Sequence, residues 1–104
     1  MVILVAEDEA IVAVTLSMQL RDAGHRVLGP ASTLETAEAI ALEERPDLAL
    51  VDIDLHHRGE GVKLARVLQN RWHVPSLFVT ARPEAARAAA DTALGGNCPA
   101  VQFG

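Results

Sequence analysis

The sequence predicts an α/β fold, a doubly wound parallel sheet with helices on both faces, and three observations predict it. Short, unbroken apolar runs recur at Val2-Ile3-Leu4-Val5-Ala6, Leu48-Ala49-Leu50-Val51 and Leu77-Phe78-Val79. Continuous rather than alternating apolar character belongs to strands buried on both faces, as in a parallel sheet covered by helices. Each run ends on polar residues with chemistry, Glu7-Asp8, Asp52 and Thr80, and stretches of helical periodicity separate the runs. In open α/β sheets functional groups collect at the carboxyl ends of the strands, so these side chains are expected at one edge.

Taken in order, the first strand gives way to a helix from Ala10 to Ala23. Its apolar set Val12, Leu16 and Leu20 repeats at helical spacing, flanked by Ile11, Val14 and Met18, and Gly24 stands where a positive φ ends a helix. Val27-Leu28-Gly29 reads as a short second strand. Ser32 or Thr33 caps a helix through about Glu44, with Leu34, Ala37 and Ala41 inward and Glu35, Glu38, Glu43 and Glu44 outward. Arg45-Pro46 stops it, since the residue before proline avoids the α region. After the third strand, a helix from about Gly61 to Trp72 turns Leu64, Ala65, Leu68 and Trp72 to one side, with Lys63, Arg66 and Asn70 away from it. Beyond the fourth strand, Pro83 opens an alanine-faced helix from Glu84 to about Leu94, closed by Gly95-Gly96. Alanine buries little area, so this helix is expected to be loosely held and mobile. A last strand, Ala100 to Phe103, completes the order β-α-β-α-β-α-β-α-β.

Composition narrows the function. A length of 104 residues fits one domain, 1–104, and 50% hydrophobic residues supply its core. With a formal charge of −5 and Lys63 as the one lysine, the chain lacks the clustered basic surface of a direct nucleic-acid partner. Three aromatic residues, Trp72, Phe78 and Phe103, make no stacking platform for single strands. The one cysteine, Cys98, excludes a disulfide framework and points to a reducing, cytoplasmic setting. The opening apolar run, without a basic flank and ended by Glu7-Asp8-Glu9, is too short for a signal sequence or a membrane span.

Glu7, Asp8, Asp52 and Asp54 carry the chemistry. Four carboxylates gathered at one sheet edge repel one another unless a hard cation joins them, and an all-oxygen donor set points most simply to Mg²⁺. The residues alone leave an alternative, in which Glu7-Asp8-Glu9 complements the dipole of the first helix and Asp52 is a strand-end turn residue. His56 and His57 are candidate metal ligands or solvated loop residues.

In combination, Val5-Ala6-Glu7-Asp8-Glu9, Pro46-Asp47-Leu48-Ala49-Leu50-Val51-Asp52-Ile53-Asp54-Leu55 and Val74-Pro75-Ser76-Leu77-Phe78-Val79-Thr80-Ala81 resemble the phosphoacceptor receiver domain of two-component response regulators. The resemblance covers the whole chain and implies a flavodoxin-like (βα)5 sheet of order 2-1-3-4-5. It implies that Asp52 takes a phosphoryl group from a kinase phosphohistidine, that Asp8 binds Mg²⁺ directly and Glu7 through water, and that the Asp54 backbone carbonyl completes the protein's ligands. Thr80 would donate its hydroxyl to the phosphoryl group, with space left by Ala81. Asp54 and Arg82, two residues beyond Asp52 and Thr80, would meet across the mouth of the site and slow hydrolysis. Phe78-Val79-Thr80-Ala81 with Gly29-Pro30-Ala31-Ser32-Thr33-Leu34 is similar to a Phe-x-Thr receiver subgroup of alphaproteobacterial stress phosphorelays.

The chain departs from that pattern in three places. No lysine follows the last strand, which runs Val101-Gln102-Phe103-Gly104, and no final helix follows it. The loop His56-His57-Arg58-Gly59-Glu60-Gly61 replaces a common Pro-Gly turn. A C-terminally incomplete receiver is therefore expected, with apolar surface around Ile11, Val14 and Met18 uncovered and an edge strand exposed, features that favour a homodimer or a longer parent chain. Implied partners are a sensor histidine kinase or phosphotransfer protein and a downstream protein target, with neither nucleic acid nor membrane. The chain is then a phosphoacceptor and not a turnover enzyme. Two rivals share its features: a pseudo-receiver that binds partners without phosphorylation, and a haloacid dehalogenase-type phosphohydrolase, whose Asp-x-Asp pattern Asp52-Ile53-Asp54 satisfies.

Overall fold

A computed structural model describes residues 1–80 and 100–102. Its elements run β1 (Val2–Ala6), α1 (Ala10–Asp22), β2 (Arg26–Ala31), α2 (Leu34–Glu43), β3 (Leu48–Asp52), α3 (Glu60–Trp72), β4 (Ser76–Thr80) and β5 (Ala100–Gln102). The strands form one parallel sheet of order β2-β1-β3-β4-β5. Both the doubly wound sheet and its strand order agree with the sequence reading. The expected fourth helix, from Glu84 to Leu94, lies outside the described residues, as do Ala81, Arg82 and Cys98.

Strand side chains alternate between two faces, and each face finds different helices. Leu4, Ala6, Ala49, Val51 and Phe78 point to one side, where Ala37 and Ala41 of α2 and Leu64, Ala65 and Leu68 of α3 close over them. Ile3, Val5, Leu50 and Val79 point to the other, where Leu16 of α1 is buried and Val12 and Leu20 pack at the margin. This split explains why the apolar runs are unbroken. The outer side of α1 stays open: Ile11, Val14 and Met18 are 83%, 54% and 57% exposed.

Boundaries follow local chemistry. At the end of α1, the Gly24 N–H donates to the Arg21 carbonyl at 2.9 Å and the His25 N–H to the Leu20 carbonyl at 3.0 Å. This paired closure needs the left-handed backbone that Gly24 adopts at φ +91°. Of the two capping candidates for α2 it is Thr33 that acts, its hydroxyl accepting the Thr36 N–H at 3.2 Å. Several bounds differ from expectation by a residue or more, those of β2 and α3 among them. β2 runs from Arg26 to Ala31 rather than over three residues, because parallel pairing with β1 continues past a register shift between Leu4 and Ala6. α3 begins at Glu60, one residue early, since left-handed Gly59 rather than Glu60 makes the turn into it. At the far end of α3, half-buried Trp72 packs on the larger cluster, and the Arg71 guanidinium lies 4.4 Å from its ring centroid.

Candidate acidic phosphoacceptor site

The site begins with strand register. Ala6 of β1 pairs with Val51 of β3, so the next residue on each chain, Glu7 and Asp52, leaves the sheet side by side at its carboxyl edge. Neighbouring strands lie about 4.8 Å apart, which sets how close such side chains must come. Asp8 follows in the turn toward α1, and carboxylate oxygens of Glu7, Asp8 and Asp52 all lie within 4.8 Å of one another. The other predicted residue of the edge, Thr80, ends β4, one position beyond Val79, the register partner of Asp52.

Burial makes this grouping costly. Glu7 is 7% exposed, and desolvation, joined by the charges of Asp52 and Asp8, pushes its pKa up to about 7 against the one amide that steadies it. That amide is the Glu9 N–H, 3.1 Å from Glu7 Oε1. Half-buried Asp52 is pushed up to about 6, again first by desolvation and then by Asp8. Three carboxylate oxygens converging under mutual repulsion form an all-oxygen donor set that suits a divalent cation. Glu9 is the N-cap of α1, and its side chain makes no capping bond.

Asp54 plays a different part from the other three. Its N–H donates to Asp52 Oδ1 at 3.2 Å, while its own Oδ1 accepts the Gly59 N–H at 2.8 Å, so its side chain serves the β3–α3 loop. The proposed meeting of Asp54 with Arg82 falls on a residue outside the described set. His56 and His57 are exposed, their ring centroids 4.4 Å apart, and stand outside the carboxylate cluster. They border a cleft of about 430 Å³ that also involves Thr33, Leu34, Arg58 and Lys63.

Two residues escape sequence reasoning. Gly61 is read there only as a helix start, but a Cβ at this position would overlap the carbonyl of Asp52, and its N–H donates to the Ile53 carbonyl at 2.8 Å. Glycine lets α3 begin directly against the end of β3, which places Asp52. Glu60 is 6% exposed, with Oε1 accepting the Leu34 N–H at 2.7 Å and Oε2 the His57 N–H at 2.9 Å. Desolvation opposes its charge, but those two amides and the nearby histidines outweigh it and hold the carboxyl below its usual pKa. A glycine beside the β3–α3 loop is a visible signal; main-chain donors to Glu60 leave none.

Comparison with known proteins converges on one family. The response regulator receiver domain model matches residues 3–97. The phyllosphere-induced regulator PhyR of Methylorubrum extorquens is 40% identical over 83 residues, covering 79% of this chain and 31% of its own length. The signal receiver domain of a modulated diguanylate cyclase from Desulfovibrio desulfuricans superimposes with a TM-score of 0.81 at 33% identity, over 97% of this chain and 79% of that one. The response regulator PhyR from Brucella abortus gives 0.79 at 27% identity, over 97% and 40%. Similarity to PhyR in both sequence and structure agrees with the stress-phosphorelay subgroup that the Phe-x-Thr pattern resembles. The chain spans about a third of the length of curated relatives it matches.

Proposed function

Because the chain belongs to the response regulator receiver domain family, we propose that residues 1–104 form one receiver unit that accepts a phosphoryl group on Asp52 and passes the change to a downstream protein. The donor is a phosphohistidine on a sensor kinase or phosphotransfer protein. The observation that carries this reading is the convergence of Glu7, Asp8 and Asp52 at adjacent strand ends.

The chain's own residues divide the work. An oxygen of Asp52 forms the bond to phosphorus as the phosphorus–nitrogen bond breaks, and the electron pair leaves with the imidazole. A pKa near 6 leaves the Asp52 carboxylate mostly ionised and nucleophilic at neutral pH. The Asp54 amide at 3.2 Å orients it. Asp8 and Asp52 would hold Mg²⁺ directly, Glu7 through water, and the Asp54 backbone carbonyl would complete the protein's share. Mg²⁺ bound there supplies charge neutralisation for both the carboxylate and the transferring phosphoryl group. Thr80, at the neighbouring strand end, would donate its hydroxyl to a phosphoryl oxygen, with Ala81 leaving room and Arg82 near the mouth. This is stoichiometric acceptance rather than turnover. A cytoplasmic setting suits it, and among the described residues no helix is long and apolar enough to cross a membrane.

The test is intact mass after treatment with acetyl phosphate and Mg²⁺. The wild-type chain should gain one acid-labile phosphoryl group, and Asp52→Asn and chelator-treated protein none. Label on Asp52→Asn would overturn the site assignment, and no label on the wild type would favour a phosphorylation-independent interaction domain.

A further inference from the structure

Glu60 takes no part in the chemistry above, yet its carboxylate spans two elements. Its oxygens receive the N–H of Leu34, the first residue of α2, at 2.7 Å, and the N–H of His57, in the β3–α3 loop, at 2.9 Å. The Glu60 N–H returns to the His57 carbonyl at 3.0 Å. That loop is fastened to the acceptor at its other end. The Gly59 N–H binds Asp54 Oδ1 at 2.8 Å, and the Asp54 N–H binds Asp52 Oδ1 at 3.2 Å. A continuous path of hydrogen bonds and short backbone links thus joins the N-terminus of α2 to the carboxylate of Asp52.

We propose that Glu60 is a positioning residue for the Asp52 site, anchoring the β3–α3 loop to the first turn of α2 and thereby fixing the amide and carbonyl of Asp54. The proposal rests on the phosphoacceptor reading above. Its chemistry is specific to a carboxylate. Two N–H groups point at one side chain, and only an ionised carboxyl offers each an oxygen without presenting a donor of its own. Glutamine would satisfy one amide and turn its NH₂ toward the other. Groups that hold a ligand's carrier commonly affect metal affinity by about 10- to 100-fold, and the low end of that range applies here because Glu60 acts through the loop.

The test titrates Mg²⁺ into the intact chain, following backbone amide NMR shifts, with acetyl phosphate labelling run in parallel. Glu60→Gln should weaken Mg²⁺ about tenfold and slow labelling at low Mg²⁺, with labelling recovering as Mg²⁺ saturates. Leu34→Pro removes the α2 donor and leaves Glu60 in place. Proline suits the first helical position, and Thr33 before it is already extended at φ −138°, ψ 163°. This variant should shift Mg²⁺ affinity in the same direction by a smaller factor, and it decides the question should Glu60→Gln fail to fold. Wild-type Mg²⁺ affinity and labelling in the folded variants, whatever their melting temperatures, would make Glu60 a structural cap alone and overturn the proposal. A wild-type chain that neither binds Mg²⁺ nor takes label would instead fail the phosphoacceptor reading, and this proposal with it.

Discussion

Glu7 and Glu60 are buried to nearly the same degree, 7% and 6% exposed, and both serve the carboxyl edge of the sheet. Their surroundings differ. Glu7 has the carboxylates of Asp8 and Asp52 beside it and one amide donor, and its pKa rises to about 7. Glu60 has two amide donors and two histidines nearby, and its pKa falls below the usual range. Desolvation raises the pKa of both carboxyls, and the donors and charges within reach decide whether it ends above or below the ordinary value. An uncompensated buried acid suits a cation, whereas a compensated one serves as scaffold.

The sharpest way to break this contrast is to remove each charge and read the sign. Glu60→Ala strands two amide donors, each worth about 1–3 kcal/mol when left unpaired, so urea denaturation should show a loss of about 2–6 kcal/mol. A loss below about 0.5 kcal/mol, the range of ordinary surface changes, would deny Glu60 its scaffold role. Glu7→Gln should do the opposite. In chelator at pH 8 it removes a charge held against a shift from 4.5 to about 7, and at roughly 1.4 kcal/mol per pH unit, discounted for coupling to Asp52, the gain is about 1–3 kcal/mol. At pH 4 the same variant should be nearly neutral, because the folded and the unfolded wild type then both carry the proton.

That pH dependence has a definite sign. A group whose folded-state pKa is raised stabilises the fold fully below its unfolded pKa, and the contribution disappears as pH climbs through the folded value. For Glu7 the window is about 4.5 to 7, and for Asp52 about 3.8 to 6. Glu60 behaves in the reverse sense: its contribution is present above 4.5 and is lost as pH drops through its lowered value. In chelator, the melting temperature of wild type relative to Glu7→Gln should fall between pH 4.5 and 7. Saturating Mg²⁺ should flatten that difference, since at 100 times its dissociation constant a ligand of the folded state adds about 2.7 kcal/mol. A relative melting temperature that climbs across the window would contradict the assignment. The smallest effect belongs to Glu9→Gln. Exposed Glu9 adds least to the rise of Glu7, so the variant should lower the Glu7 pKa only slightly by side-chain NMR and change stability by no more than about 0.5 kcal/mol.

The contrast also marks how far sequence carries. Glu7, Asp8 and Asp52 are legible because they end apolar runs, and parallel register turns that order into proximity. The cap at Thr33, the stop at Gly24 and the inward face of α3 are legible for the same reason: their causes lie within a few residues. Glu60 is not legible, since its partner is the Leu34 backbone 26 residues away, and every residue but proline carries that N–H. The length of β2 is hidden too, because it is pairing with β1, through Ala6 and Ala31, that extends the strand past Gly29. Gly61 looks like helix punctuation until the Asp52 carbonyl is seen against it.

Trp72 has a practical consequence. The sequence holds one tryptophan and no tyrosine, so essentially all intrinsic near-ultraviolet emission comes from one indole. It sits on the last turn of the 13-residue α3, whose first turn adjoins the β3–α3 loop, and a helix rises about 1.5 Å per residue. The fluorophore is therefore some 18 Å along the helix from the loop, seated under Arg71 on the larger cluster. Emission should report global unfolding cleanly and remain nearly silent to cation loading, giving stability and ligation separate optical channels in the unlabelled protein.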